Sequence, residues 1–193
     1  MKITEVKGRR VWDSRGRPTV EAEVTLSGGI TGRAIAPAGA SRGTHEAIDL
    51  RDGGDAFAGF GVEDALDNIN RDIAARIEGM DGTDQEAVDL AMIDLDDTDT
   101  KSSLGGNATI AVSMAVLHAA ANTTGQPLWK YLANDRDVRI PMPEIQIFGG
   151  GAHAGGRVDI QDFMAIPVGA ESFDDALEMI AEVYIAAGQL MSD

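Results

Sequence analysis

The 193 residues contain no cysteine, which excludes a disulfide framework and thiol catalysis and fits a reducing, cytoplasmic setting. Lysine is scarce. Four lysines and twelve arginines face 32 acidic residues, for a formal net charge of −16. A surface this acidic repels nucleic acid and anionic membrane, so neither is expected as a partner, and an anionic substrate would need cations or local arginines. The plainest use of such acidity is solubility, including in a salt-rich cell. Long hydrophobic runs are also missing. Nothing approaches 18 apolar residues in a row, so no membrane span is expected. Residues 1–13 alternate polar and apolar and lack the apolar core of a signal peptide.

What is present begins with strand patterning. Ile3, Val6 and Val11 alternate with charged neighbours up to Trp12, and Asp13-Ser14-Arg15-Gly16-Arg17-Pro18 has turn chemistry. Residues 19–26 place Val20, Ala22, Val24 and Leu26 on one face, with Glu21 and Glu23 on the other. After Ser27-Gly28-Gly29, residues 30–36 make a third strand, predicting an antiparallel meander with one wet face. The stretch 37–44 is small and glycine-punctuated; it reads as a surface connector or as a lid over a site.

Helical spacing then dominates. Val62, Ala65, Leu66, Ile69, Ile73 and Ile77 predict a helix over 61–80. Thr83 and Glu86 form a candidate capping box for a helix through Ala87, Leu90, Ala91 and Ile93. The carboxylates at 94–97 read as a solvated helix end rather than a metal site. Residues 107–121 are almost all small and apolar, predicting a buried helix with His118 as a satisfied core or boundary residue rather than a ligand. A short helix over 126–132 takes Trp129 and Tyr131 as packing anchors. Residues 134–137 are polar and mark a boundary between residues 1–134 and 139–193.

The second part holds the densest chemistry. Two apolar runs, 144–148 and 163–168, read as buried strands. Between them lies the glycine-rich loop 149–156 carrying His153, and Gln161-Asp162 heads the second run. A titratable His, an amide and a carboxylate among flexible backbone make this the expected site. Ser172 then caps an amphipathic helix with Phe173, Ala176, Leu177, Ile180, Val183 and Tyr184.

Four blocks, in order, resemble the enolase family. Asp13-Ser14-Arg15-Gly16-x-Pro18-Thr19-Val20-Glu21 resembles its N-terminal hairpin. Pro37-x-Gly39-Ala40-Ser41-x-Gly43, running into Glu46-Ala47 and Leu50-Arg51-Asp52-Gly53, resembles its mobile loop. Lys101-Ser102, Asn107-Ala108 and Val112-Ser113 resemble its long buried helix. Gly150-Gly151-x-His153-Ala154 with Val158-Asp159-Ile160-Gln161-x-Phe163-Met164 resembles its first barrel strands.

The resemblance implies an α+β N-terminal capping domain, a three-stranded antiparallel meander plus helices, followed by the start of an α/β enolase-type barrel. It implies a cytoplasmic glycolytic lyase that dehydrates 2-phosphoglycerate, a small phosphorylated carboxylate, to phosphoenolpyruvate with Mg2+ as cofactor. By resemblance Ser41 would close over the site and ligate the second magnesium, and Ala40 in the same loop would contact substrate. His153 would face the leaving group and phosphate, Gln161 would bind substrate, and Asp162 would sit beside the departing hydroxyl. Arg15 and Glu21 become candidates for a homodimer interface. The family's base lysine and main metal carboxylates belong to later barrel strands, and a whole barrel takes about 250 residues. The 193-residue chain alone is therefore expected not to turn over 2-phosphoglycerate.

The site block departs from the family in places. Asp162 stands for the family's glutamate, and Gln146-Ile147-Phe148-Gly149 for its asparagine-containing strand. Ala38 replaces a loop serine, Arg42 a loop threonine and Arg17 the hairpin asparagine. Shortening Glu to Asp withdraws the carboxylate by about 1 Å, a shift able to cost on the order of a hundredfold in rate. Arg42 would add a positive charge suited to an extra anionic group. These departures leave two other readings: an enolase-like enzyme on a related substrate, of the carboxyphosphonoenolpyruvate synthase type, and a non-catalytic interaction module.

Overall fold

In the computed structural model, which describes residues 1–39 and 42–192, the chain opens with an antiparallel meander. Strands β1 (Ile3–Trp12), β2 (Pro18–Leu26) and β3 (Ile30–Ala36) lie in the order β1-β2-β3. The turn between β1 and β2 is closed by Asp13, whose Oδ1 accepts the N–H groups of Arg15 and Arg17, each at 2.8 Å. The chain divides into two units, Met1–Asp135 and Arg136–Asp193.

The core face of the sheet follows the alternation: Val20, Ala22, Val24 and Leu26 are buried. Two details depart from a simple period of two. Ile3 and Val6 are both buried although three residues apart, because a register shift between Ile3 and Glu5 turns both inward. The supposedly wet face is closed at its centre. Glu21 is buried there and takes a hydrogen bond from the Nε of Arg9, its cross-strand partner, whose guanidinium also reaches Glu23 at 3.0 Å. A carboxylate in the central strand is tolerated because a paired arginine covers it.

A helical stretch follows, as α1 (Glu63–Asp67), a π-helical segment (Asn68–Ile73) and α2 (Ala74–Ile77). Ile69, Ile73 and Ile77 recur every four residues, and the wider π turn keeps them on one fully buried face. Each such isoleucine contributes about 1.5–3 kcal/mol relative to exposure. This stretch also covers the outer edge of β1. Asn70 exchanges hydrogen bonds with the N–H and C=O of Gly8 at 2.8 and 3.2 Å, and Glu78 accepts from the N–H of Val6. Ile3 is bonded on both sides by the backbone of Met80 and Gly79.

Helix α3 (Gln85–Asp96) is capped by Asp84, which accepts the Ala87 N–H, and not by Thr83, whose hydroxyl turns back to Asp81. Its buried face is Val88, Ala91 and Met92, while Leu90 and Ile93 are exposed, contrary to the expected apolar stripe. Asp96 at its end is buried, holding the Thr98 hydroxyl and the Leu104 N–H, so that part of the acidic run is structural. Helix α4 (Gly106–Thr123) lies against β2 and β3 on a face of alanines. A Cβ on Gly32 of β3 would sit 2.1 Å from the Ala119 nitrogen and 2.3 Å from the Ala115 oxygen, so only glycine allows that approach. His118 is half-buried, as expected of a boundary residue. In α5 (Leu128–Ala133), Trp129 is 60% exposed and is no packing anchor.

In the second unit, β4 (Ile145–Gly149) and β5 (Asp162–Ala165) pair antiparallel, and α6 (Phe173–Ser192) follows, capped by the Ser172 hydroxyl at 3.1 Å from the Asp175 N–H. The two strands are not buried. Phe148 and Met164 are exposed, and Val168 lies beyond β5 with 82% exposure. A two-stranded ladder covers neither of its faces, so apolar runs that read as core remain on the surface here. On α6 only Ala176 and Ile180 are buried; Leu177, Val183 and Tyr184 are exposed.

Candidate functional site

The β4–β5 hairpin and its loop carry the predicted residues of the second unit. Phe148 and Phe163 stack with ring centroids 4.1 Å apart and hold the strands in register. The loop folds back on itself through its backbone. Gly150 N–H donates to the Gln161 carbonyl at 2.6 Å, Gly151 N–H to the Val158 carbonyl at 2.7 Å, and Gly156 N–H to the Gly151 carbonyl at 2.9 Å. A Cβ on Gly150 would stand 1.9 Å from the Ile160 oxygen, which explains the glycine there.

Within this loop His153 sits exposed in a short 3-10 turn, Gly151–Ala154. Gln161 and Asp162 lie at the opposite root of the loop, both exposed, with Asp162 opening β5. Among the described residues no hydrogen bond or ion pair joins His153 to either of them. Asp162 does have a partner: its Oδ1 accepts a hydrogen bond from the side-chain amide of Gln146 on β4. Reading the sequence noted Gln146 only as a departure from the family strand; the contact depends on which residues of two strands lie diagonally opposite.

The other candidate region is the loop after β3. Ala40 and Ser41 lie outside the described residues. The loop's two ends are anchored: Thr19 Oγ1 donates to the Ala36 carbonyl at 2.8 Å, and Ile48 is bonded to Thr100 and Gly106 at 2.7 and 2.6 Å. Next to it lies a cavity of about 240 Å³ lined in part by Gly39, Arg42, Glu46, Asp49 and Asn107. Arg42 is not a free positive charge. Its guanidinium lies 3.7 Å from the Asp49 carboxylate and donates to the Asp49 carbonyl at 3.4 Å. The same Asp49 oxygen takes the Nε of Arg51 at 2.6 Å.

The Leu50-Arg51-Asp52 block turns out to be structural. Arg51 donates to the carbonyls of Pro18 and Phe60 at 2.6 and 2.9 Å, tying the hairpin to the segment before α1. Asp52 accepts the N–H groups of Glu63 and Asp64 at 2.9 and 3.0 Å and so satisfies the start of α1. Arg15 and Glu21 also make contacts within the chain, Arg15 with the Ala38 carbonyl at 3.4 Å and Glu21 with Arg9. Among the described residues no three His, Asp or Glu side chains converge into a cluster that could hold a metal ion. Among the same residues no helix is long and apolar enough to cross a membrane.

Comparison with known proteins covers both units. Residues 3–132 match the family model "Enolase, N-terminal domain", and residues 137–193 match "Enolase, C-terminal TIM barrel domain". The protein named enolase from Methanopyrus kandleri is 48% identical over 192 residues, covering 100% of this chain and 45% of the relative. The chain thus spans less than half the length of the curated relative it matches.

Proposed function

Because the chain belongs to the enolase family, we propose that the whole protein dehydrates 2-phosphoglycerate to phosphoenolpyruvate, as a lyase of glycolysis. The observation that carries this reading is the β4–β5 hairpin, whose loop bears His153 and closes on Gln161 and Asp162. The reaction removes a proton beside a carboxylate and then expels hydroxide, which needs an acid near the leaving oxygen. Asp162 is assigned that surrounding. Gln161 offers an amide able both to donate to and to accept from substrate oxygens. His153, on an exposed turn of the loop, is assigned to the phosphate and leaving-group side.

Magnesium is the proposed cofactor of the whole protein, where it would stabilise negative charge developing on the substrate carboxylate. Ser41 is the only ligand candidate assigned within this sequence, and the carboxylates would come from outside the described residues. We further propose that two copies pair through the β1–β2 hairpin, with Arg15 and Glu21 at the interface, and that the protein works in the cytoplasm. Sedimentation of the wild type against Arg15→Ala tests the pairing; an unchanged dimer, or a monomeric wild type, sinks it.

The reading of a related phosphono-carboxylate substrate leaned on Asp162, Gln146 and Arg42. Asp162 and Gln146 engage each other, and the Asp49 carboxylate beside Arg42 is shared with Arg51, so a positive charge remains at the loop under either reading. The deciding assay follows phosphoenolpyruvate absorbance for the whole protein with magnesium and 2-phosphoglycerate, beside phosphonate analogues. Turnover of an analogue without phosphoenolpyruvate formation would overturn the proposal.

A further inference from the structure

We infer that Gln146 is the positioning residue for Asp162, and that the two side chains, with Gly149 making room between them, form one length-matched unit; this rests on the proposed role of Asp162. The register is the starting point. Gln146 faces Met164 across the ladder, and Asp162 faces Gly149, with an irregularity in β4 between Gln146 and Phe148. Asp162 is therefore the diagonal neighbour of Gln146, roughly 7–8 Å away in backbone terms and reachable only by long side chains. The glutamine amide spans that gap and donates to Asp162 Oδ1.

Gly149 fits the same account. Its φ is not in the left-handed region, so the backbone does not demand glycine. A Cβ there would lie 3.2 Å from Gln146 Nε2 and 3.6 Å from its Cδ, so the amide packs directly over this glycine on its way to Asp162.

The pair also conserves length. Gln146 and Asp162 carry three methylenes between them, the number an asparagine at 146 and a glutamate at 162 would carry, with the polar contact shifted by one carbon toward β5. A carboxylate withdrawn by one methylene is thus met by an amide extended by one. The shorter acid is a co-adjusted position of the group and not a loosened one. An exposed ion or amide contact contributes little by itself, but holding the carboxylate in one rotamer is worth far more to a proton-transfer step than to stability.

The test reads the contact and its use separately. In the 193-residue chain, the side-chain 15N–1H resonances of Gln146 are followed in wild type and Asp162→Ala. The Gln85 amide, whose partners are Asp89 and Ser113, is the internal control. The Gln146 resonances should move while those of Gln85 stay. In the whole protein, Gln146→Asn and Asp162→Glu should each lower kcat for 2-phosphoglycerate about tenfold or more, with KM changed less than about threefold. The double variant Gln146→Asn/Asp162→Glu should return to within about threefold of wild type, which a merely structural role would not produce. Unmoved Gln146 resonances overturn the inference whatever the activity, and so does a double variant whose loss equals the product of the single losses. If the wild-type whole protein fails to make phosphoenolpyruvate, the functional reading falls and the resonances alone decide the pairing.

Discussion

The side-chain amide of Asn107 hydrogen-bonds both the N–H and the C=O of Leu50, each at 3.1 Å. One residue at the start of α4 thereby acts as a strand would, satisfying both polar groups of a chain segment that has no sheet of its own. Asn107 is 5% exposed, so losing its amide strands two partners away from water. Asn107→Ala should destabilise the chain by about 2–4 kcal/mol, read as a lower urea midpoint at constant m-value. A change below roughly 0.5 kcal/mol would show that water replaces the amide.

Two glycines of the sheet should respond differently to a single methyl group. On Gly32 it meets the backbone of α4 at 2.1 Å, whereas on Gly8 it meets the Ile69 side chain at 2.9 and 3.0 Å, a milder overlap. Gly32→Ala should cost about 3 kcal/mol or more, and Gly8→Ala about 1–2 kcal/mol. Thermal unfolding of the two variants side by side checks the order, and the reverse order refutes the close approach of α4 to β3.

The start of α3 separates two adjacent polar residues. Asp84→Ala should cost about 1 kcal/mol, because it removes the acceptor for the Ala87 N–H. Thr83→Ala, which removes only an exposed bond to Asp81, should cost less than about half as much. Equal losses in chemical denaturation would restore Thr83 as the cap.

Asp96 supplies a dependence on pH. Burial on its own would raise its pKa, but the Leu104 N–H, the Thr98 hydroxyl and N–H, and the nearby Lys101 ammonium outweigh it and hold the carboxyl below its usual range. The folded-state value lies under the unfolded one, so the stabilisation is fully present above the ordinary carboxylate range of about 4. It is lost as pH falls through the folded value. Asp96→Asn should therefore lower the urea midpoint at pH 7 by the equivalent of about 1–3 kcal/mol, with the gap to wild type narrowing toward pH 3. A gap that widens on acidification would contradict the assignment.

What could be read from sequence divides along physical lines. The alternation of Val20, Ala22, Val24 and Leu26 names the core face of β2 without ambiguity. The bulge that turns both Ile3 and Val6 inward is invisible to a rule with a period of two. Leu90, Ile93 and Trp129 are apolar and exposed, because helical spacing says which residues share a face and not which face meets the core. At the site, the glycine-rich loop and the strands on either side of it were legible from residue types alone. The Gln146 contact was not, since it depends on the diagonal of a ladder whose register is set by backbone geometry. Arg42 carried a readable charge, but that it shares the Asp49 carboxylate with Arg51 depends on how the loop folds.

The outer edge of β1 has one more consequence. The N–H groups of residues 3, 6 and 8 and the C=O groups of residues 3 and 8 are answered from the stretch 70–80, by side chains as much as by backbone. A strand from another molecule cannot take those groups while that stretch is seated. Protection against edge-to-edge association therefore resides in helical residues far along the chain, and the sheet alone does not provide it. Weakening Asn70 or Glu78 would show first in shelf life and concentration tolerance, and only later in melting temperature.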